Sequence, residues 1–316
     1  MNERVVVVNA GKMNYDHLLD FSVLSNDVQV YDDSTNAELI ERIQGATVVV
    51  TKEIPVGPEL LSQFPESVKL IVEAGTGYNN IDLDAARAKG ITVCNIPAYS
   101  TERVAHTAIM MLLNFASTMQ QQIGMLARGD RSNFTKHLQV PHTEVNGKTL
   151  GIIGAGHIGM AVVKVARALD MNILIHTRTP KEDSEGIRYV SLDELLAKSD
   201  YISLHCPLNE QTKHMINKDT IAKMKSSAVI INTGRGALIN EADLCEALVA
   251  KRIAGAGLDV QEVEPPVEDS PLYTLDNVII TPHMGWKGLE TRQRLVGIIR
   301  DNVQAFLKGE PINVVS

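Results

Sequence analysis

Leu150-Gly151-Ile152-Ile153-Gly154-Ala155-Gly156-His157-Ile158-Gly159 is an apolar run of strand length feeding directly into a G-x-G-x-x-G turn. An apolar helical pattern follows through Val162, Val165, Ala166 and Leu169, and a second apolar run, Ile173-Leu174-Ile175, comes next. Strand, glycine turn, helix, strand is the context in which this motif, weak by itself, predicts a dinucleotide-binding unit. Gly154 permits the tight turn, Gly156 lets the backbone approach a pyrophosphate, and Gly159 lets helix and strand pack closely. The helix opening at His157 and Ile158 offers free N–H groups and a positive dipole end to the phosphates.

The end of the second strand bears on which dinucleotide is bound. An acidic residue there usually bonds the adenine ribose 2′-OH of NAD. Here the run reads His176-Thr177-Arg178-Thr179, with Thr177 where the acid is expected. A carboxylate would repel a 2′-phosphate, whereas a guanidinium grips one through charge-assisted hydrogen bonds. The expectation is NADP(H) in preference to NAD(H), with NAD(H) possible.

Working outward, short apolar segments alternate with helical patterns before the turn. Strand candidates are Arg4–Asn9, Val28–Tyr31, Thr47–Thr51, Lys69–Glu73 and Thr92–Asn95, with helical spacing over Ala37–Gln44, Pro58–Phe64 and Leu83–Lys89. That alternation predicts an open, mostly parallel, flavodoxin-like sheet. Thr101 to about Ala127 reads as one long helical stretch, followed by a polar, irregular segment to Gly147. Further strands are expected around Val190 and over Tyr201–His205, Ala228–Thr233, Gly255–Asp259 and Val278–Thr281. Leu289–Leu307 repeats apolar residues at helical spacing and is expected to return to the first sheet. The fold class is therefore α/β, a Rossmann-type unit inserted in a flavodoxin-like one: residues 1–99 and 287–316 as the substrate domain, 100–286 as the NAD(P)-binding domain.

Composition fits this reading. The chain has 316 residues, enough for about two domains, and 44% of them are hydrophobic, enough for real cores. A net charge of −8 argues against a nucleic-acid partner, which needs a basic face. No apolar stretch reaches the length of a membrane span, and Met1-Asn2-Glu3-Arg4 leads into Val5-Val6-Val7-Val8 without a signal-peptide pattern. Cys94, Cys206 and Cys245 fit neither a disulfide framework nor a zinc site, so no metal is expected, and a reducing cytoplasm is the expected compartment.

Open α/β sheets bind ligands at the carboxyl ends of their strands, and three such ends carry chemistry here. Arg235 lies between glycines in Asn232-Thr233-Gly234-Arg235-Gly236, a fork suited to a carboxylate. Gly257-Leu258-Asp259-Val260 leads to Glu262 and Glu264. Thr281-Pro282-His283-Met284-Gly285-Trp286 places a histidine at a strand end beside a glycine.

In order and spacing, with 29 residues from Arg235 to Glu264 and 19 more to His283, these motifs resemble the D-isomer-specific 2-hydroxyacid dehydrogenases. Leu204-His205-Cys206-Pro207-Leu208 with Thr212 resembles the family's second cofactor loop. Ala74-Gly75-Thr76-Gly77-Tyr78-Asn79-Asn80-Ile81-Asp82 resembles its substrate-carboxylate loop. The resemblance covers essentially the whole chain, and Asn95–Thr101 with Glu290–Leu295 looks most like glycerate dehydrogenases, also called hydroxypyruvate reductases.

The resemblance implies hydride transfer between NAD(P)(H) and a small 2-oxo or 2-hydroxy acid, hydroxypyruvate or glyoxylate first. His283 matches the proton donor and Glu264 the carboxylate that orients its ring and favours the protonated form. Arg235 matches the cation that holds the substrate carboxylate and carbonyl oxygen. Backbone N–H groups around Ala74, Gly75 and Thr76 match the substrate-carboxylate site. Asp259 matches a residue bonding the nicotinamide carboxamide, and Cys206, Pro207, Thr212, Thr233 and Gly285 match cofactor contacts. A homodimer, formed by the Thr101–Ala127 helix and the following arm, is implied, with domain closure hinged near Pro97–Ser100 and Gly285–Gly288. Larger 2-oxo acids, or a nucleotide-sensing protein without turnover, are the rival readings. An intact proton relay disfavours the second, Glu264 disfavours formate oxidation, and the lack of Arg or Lys in Glu73–Asp82 disfavours a phosphorylated substrate. Some positions depart from the family pattern. Arg103 is expected to be a solvated helix residue, Asp170 to tolerate a left-handed helix terminus, and Trp286 to line the pocket or a dimer contact. Lys52 and Glu53 occupy a loop where relatives place substrate-side groups.

Overall fold

The computed structural model describes residues 3–265 and 268–316; Met1 and Asn2, quoted above, lie outside the described residues. Residue contacts divide the chain into two compact units, one running to Ser100 and resuming at Trp286–Ser316, the other comprising Thr101–Gly285.

The first unit alternates β1 (Val5–Val7), β2 (Val28–Val30), α1 (Asn36–Arg42), β3 (Val48–Thr51), α2 (Pro58–Ser62), β4 (Leu70–Glu73), α3 (Leu83–Ala88) and β5 (Thr92–Cys94). Its strands are all parallel, in the flavodoxin-like order β2-β1-β3-β4-β5. The valine-rich runs are buried on both faces, as a sheet covered by helices on both sides requires. Alternation sends Val5, Val7, Val48 and Val50 to one apolar cluster and Val6, Val49 and Ile71 to the other. Helix starts follow local chemistry: Thr35 and Glu38 form a reciprocal capping box on α1, Pro58 opens α2, and Asp82 caps α3.

The second unit begins with α4 (Thr101–Ser117), α5 (Met119–Ala127) and α6 (Ser132–Thr135). It continues through β6 (Thr149–Ile153), α7 (His157–Ala168), β7 (Asn172–His176), β8 (Ile187–Tyr189), α8 (Leu192–Lys198), β9 (Tyr201–Leu204) and α9 (Lys218–Ile221). It ends with β10 (Val229–Asn232), α10 (Glu241–Val249), β11 (Gly255–Leu258) and β12 (Val278–Ile280). All seven strands are parallel, in the order β12-β11-β10-β9-β6-β7-β8. The chain direction through the sheet reverses between β6 and β9, the topological switch point at which such sheets take dinucleotides. Asp170 is left-handed, at φ 55°, immediately beyond α7.

The stretch Thr101–Ala127 is not one helix. It breaks at Thr118, which is left-handed at φ 46°. The Thr118 hydroxyl donates to the Ser117 and Pro141 carbonyls, and the Asn114 side chain accepts from the Gln120 N–H, so side chains there compete with the helical ladder.

The last helix, α11 (Leu289–Leu307), returns to the first unit, packing Leu295, Val296, Ile299 and Val303 against the Val5, Val7 and Val48 face. Trp286, expected in a pocket wall or dimer contact, is only 6% exposed and joins that same core. The strand expected around Val190 ends one residue earlier, at Tyr189.

Candidate active site

The glycine turn is built by close approaches. Gly154 has φ 99°, and a Cβ added there would come within 2.5 Å of the Cys206 backbone nitrogen, so the turn lies directly against the loop after β9. A Cβ on Gly159 would come within 2.2 Å of the Gly154 carbonyl oxygen, so only glycine brings α7 this close to the turn. Around Gly156 there is open space, and no side chain caps the start of α7. His157 is exposed and Ile158 half-buried, and the first N–H groups of the helix have no intrahelical acceptor.

Two further observations fit a dinucleotide. The Thr233 hydroxyl, at the end of β10, is buried with no hydrogen-bond partner among the described residues, an orphaned group that a polar ligand atom would satisfy. Thr177 is half-buried, and Arg178 and Thr179 are exposed, just past β7. In the facing loop, Thr212 donates its hydroxyl to the Pro207 carbonyl, which shapes the turn carrying Cys206 and Pro207. Burial pushes the Cys206 thiol up to about 11, so it is inert packing rather than a nucleophile. The neighbouring His205 bonds the Ser203 hydroxyl at 2.8 Å, and burial pushes its imidazole down to about 4. It is therefore neutral at pH 7.

The ends of β10, β11 and β12, adjacent in the sheet, carry the reactive groups. Arg235 follows β10, half-buried. Asn232 shapes its loop by donating to the Arg235 carbonyl and accepting from the Gly234 N–H. A Cβ on Gly236 would overlap the Gln261 carbonyl oxygen, so this loop is pressed against the segment leading to Glu264. His283 Nδ1 lies 2.7 Å from Glu264 Oε2, and both side chains are partly open to solvent. That bond leaves Nε2 as the ring nitrogen available for proton transfer.

His283 is itself left-handed, at φ 47°, a conformation a non-glycine residue holds only when its surroundings impose it. Asp259, 2% exposed at the end of β11, imposes it. Its Oδ1 accepts from the Thr281 hydroxyl at 2.6 Å and the Met284 N–H at 2.8 Å, and its Oδ2 from the Gly285 N–H at 2.8 Å. These three bonds take up three of the roughly four acceptor sites of that carboxylate. A Cβ on Gly285 would lie 2.7 Å from Oδ2, so this close grip needs glycine.

Sequence reasoning missed a second pair, His214 with Glu262 at 2.6 Å. Glu262 also exchanges hydrogen bonds with Glu241, each backbone N–H donating to the other's carboxylate, which pins the start of the segment carrying Glu264. No spacing rule relates residues 214, 241 and 262. Arg103, expected to be solvated, is half-buried and donates to the Thr107 hydroxyl.

In the first unit, the loop after β4 holds Ala74 and Gly75 buried and Thr76 exposed. The Gly75 N–H is already used by the Glu73 carbonyl at 2.8 Å, and the Ala74 N–H by Thr51. Of the backbone donors there, Thr76 N–H has no acceptor among the described residues.

This geometry, a dinucleotide cradle beside a carboxylate-oriented histidine and an arginine, defines a nucleotide-dependent oxidoreductase. The model of the D-isomer specific 2-hydroxyacid dehydrogenase NAD-binding domain matches residues 109–285. The sequence is 42% identical over 88% of both chains to a hydroxypyruvate reductase of Blautia hydrogenotrophica. It is 39% identical over 89% of both chains to a glycerate dehydrogenase of Methylorubrum extorquens. The structure of an NADPH-dependent glyoxylate/hydroxypyruvate reductase from Sinorhizobium meliloti, in complex with NADP and malonate, superposes with a TM-score of 0.85 at 28% identity, covering 100% of this chain and 97% of that one. The chain belongs to the D-isomer specific 2-hydroxyacid dehydrogenase family and is an oxidoreductase.

Two outcomes are expected. His283→Ala should lower kcat by about 10²–10⁴-fold, the range for losing one acid–base group, while cofactor affinity is kept; near-normal turnover would remove His283 from the chemistry. His205 carries a pH signature. Above its ordinary value of 6.5 neither state of the protein protonates it, and between 6.5 and about 4 only the unfolded state does. Stability is therefore lost as pH falls through that window. His205→Gln should reduce the loss between pH 7 and 4.5 by ~1–3 kcal/mol in urea titrations. An identical acid sensitivity in wild type and variant would show that the ring is not held neutral.

Proposed function

We propose that this protein is an NADP(H)-preferring reductase of small 2-oxo acids, with hydroxypyruvate and glyoxylate as its first substrates. The observation that carries the reaction type is the 2.7 Å pair of His283 and Glu264, on a turn whose backbone is bound by a buried aspartate. When bound, the dihydronicotinamide supplies the hydride to the 2-oxo carbon. Gly154, Gly156, His157, Ile158 and Gly159 would hold the dinucleotide's pyrophosphate, with Cys206, Pro207, Thr212 and Thr233 along the facing loops. Arg235 binds substrate oxygen and stabilises negative charge as it develops on the carbonyl. His283 Nε2 gives the proton to that oxygen, and Glu264 stabilises the positive ring before transfer. Asp259 and Gly285 act first on His283, by setting the turn. Ala74, Gly75 and Thr76 receive the substrate carboxylate, with Thr76 N–H as the free donor.

Thr177 and the exposed Arg178 support the NADP(H) preference, because nothing acidic stands at the end of β7 to repel a 2′-phosphate. The likeness to a reductase solved with NADP adds to this. Three cysteines without disulfides suit a cytoplasmic location; no helix among the described residues is long and apolar enough to cross a membrane.

We also propose a homodimer. Met110, Leu113, Met119, Ile123, Leu126, Phe134 and Leu138 are all exposed on α4, α5 and the segment after them, more apolar surface than a monomer normally leaves in one region. A second copy of the chain is the occupant the family resemblance implies.

A panel of 2-oxo acids, each assayed with NADPH and NADH, tests the reading. Higher kcat/KM with NADPH is expected, and Arg178→Ala should raise KM for NADPH by about 10–100-fold, the weight of one charge-assisted phosphate contact, while sparing NADH. A wild-type preference for NADH overturns the cofactor assignment. For assembly, sedimentation at micromolar concentration should show a species of twice the 34.5 kDa chain mass; a single 34.5 kDa species argues against the dimer.

A further inference from the structure

The sheet of the first unit has its own switch point, between β1 and β3, where the chain leaves for β2 and returns. Ligands of open α/β sheets lie outside the carboxyl ends of the strands at such points. The residue there is Lys52, immediately after β3. Its backbone is clamped by one side chain: Asn9 Nδ2 donates to the Lys52 carbonyl at 2.5 Å, and Asn9 Oδ1 accepts from the Lys52 N–H at 2.9 Å. The next residue, Glu53, is forced into a left-handed conformation at φ 57°, with its N–H bound by the buried Glu73 carboxylate. Strain of this kind persists where the surroundings over-determine the backbone, and it marks functional positions.

The Lys52 side chain is 3% exposed, rare for an ammonium. Nζ lies 2.6 Å from Glu53 Oε1 and 4.2 Å from the centre of the Trp286 ring. A Cβ placed on Gly75 would stand 3.3 Å from Nζ, so the ammonium sits over Gly75 itself. An ammonium has three donors. Glu53 takes one and the Trp286 ring face covers a second direction; the Gly75 loop beside Nζ is also where the Thr76 N–H has no acceptor among the described residues. Compensating Glu73 explains the placement only in part: the nearby ammonium lowers the Glu73 pKa, but burial outweighs it. That carboxylate already accepts from the Thr51 hydroxyl, the Glu53 N–H and the Asn80 amide, and burial raises its pKa, favouring the neutral form.

We propose that Lys52 is a substrate-binding residue, its ammonium pairing with the carboxylate of the 2-oxo acid on the Ala74–Thr76 loop. The proposal rests on the reading of that loop as the carboxylate site. Trp286 holds the ammonium in place through its ring face.

The test compares an acid with its uncharged analogue. Steady-state kinetics with glyoxylate and with methyl glyoxylate are measured on wild type, Lys52→Met, Lys52→Gln and Lys52→Arg, using the better cofactor. Lys52→Met and Lys52→Gln should raise KM for glyoxylate by about 10–100-fold with kcat within about threefold, as expected for a lost charge-assisted bond made in ground and transition states alike. KM for methyl glyoxylate should stay within about twofold, and Lys52→Arg should recover most of the affinity for the acid. Equal losses for acid and ester would make Lys52 structural and overturn the proposal, as would an unchanged KM for glyoxylate. If Lys52→Met shows no cooperative melt, Lys52→Gln and Lys52→Arg decide by the same acid–ester contrast. A wild type that reduces no 2-oxo acid with either cofactor would overturn the functional reading itself, whereas an active wild type indifferent to Lys52 overturns only this assignment.

Discussion

The site in the second unit depends on one buried carboxylate. Asp259 is a charge taken out of water, and such a charge is tolerated only when its oxygens are occupied. The donors that occupy them are all in the turn after β12: a threonine hydroxyl before His283 and two backbone N–H groups after it. Satisfying the aspartate and folding the turn are thus one event. The left-handed backbone of His283 is the geometric consequence, and the imidazole is delivered to Glu264 from that strained position.

The same physical logic runs through both units. A parallel strand ends with backbone groups that have no further ladder partner, so the residues just beyond it are free to turn and to serve chemistry. Small residues and side-chain amides then shape each end. Asn232 organises the loop of Arg235 as Asn9 organises that of Lys52, each asparagine both donating to and accepting from the backbone it holds. Glu73 also braces a left-handed turn from within the core, accepting the N–H of Glu53 itself, where Asp259 accepts those of the two residues that follow His283. In both places a buried acid stores backbone strain beside a residue that carries charge or protons.

Much of this was legible in the residues. The glycine turn announced the βαβ unit because its three glycines answer to three separate steric demands, and two of them leave no room for a Cβ. Valine runs between helical patterns announced parallel sheets, since only strands covered on both faces are apolar throughout. Other features were not legible. The break at Thr118 depends on hydrogen bonds to Pro141 and from Gln120, and no local propensity for Thr specifies them. The burial of Trp286 depends on α11 folding back after it. The pairing of His214 with Glu262 joins residues 48 positions apart, and the Gly75 N–H proved to be occupied by its own neighbour, Glu73.

The sequence by itself determined the class of fold, the position of the dinucleotide cradle and the identity of the charged residues at the strand ends. These follow from periodicity, from glycine sterics and from motif spacing, all local properties of the chain. Only the tertiary structure decided what those residues do to one another: that Asp259 binds the His283 turn, that the half-buried His205 is held neutral, and that Lys52 stands over Gly75 beside Trp286. Burial, charge compensation and the direction of a side chain are set by neighbours distant in the chain, and those neighbours exist only once the sheets have formed.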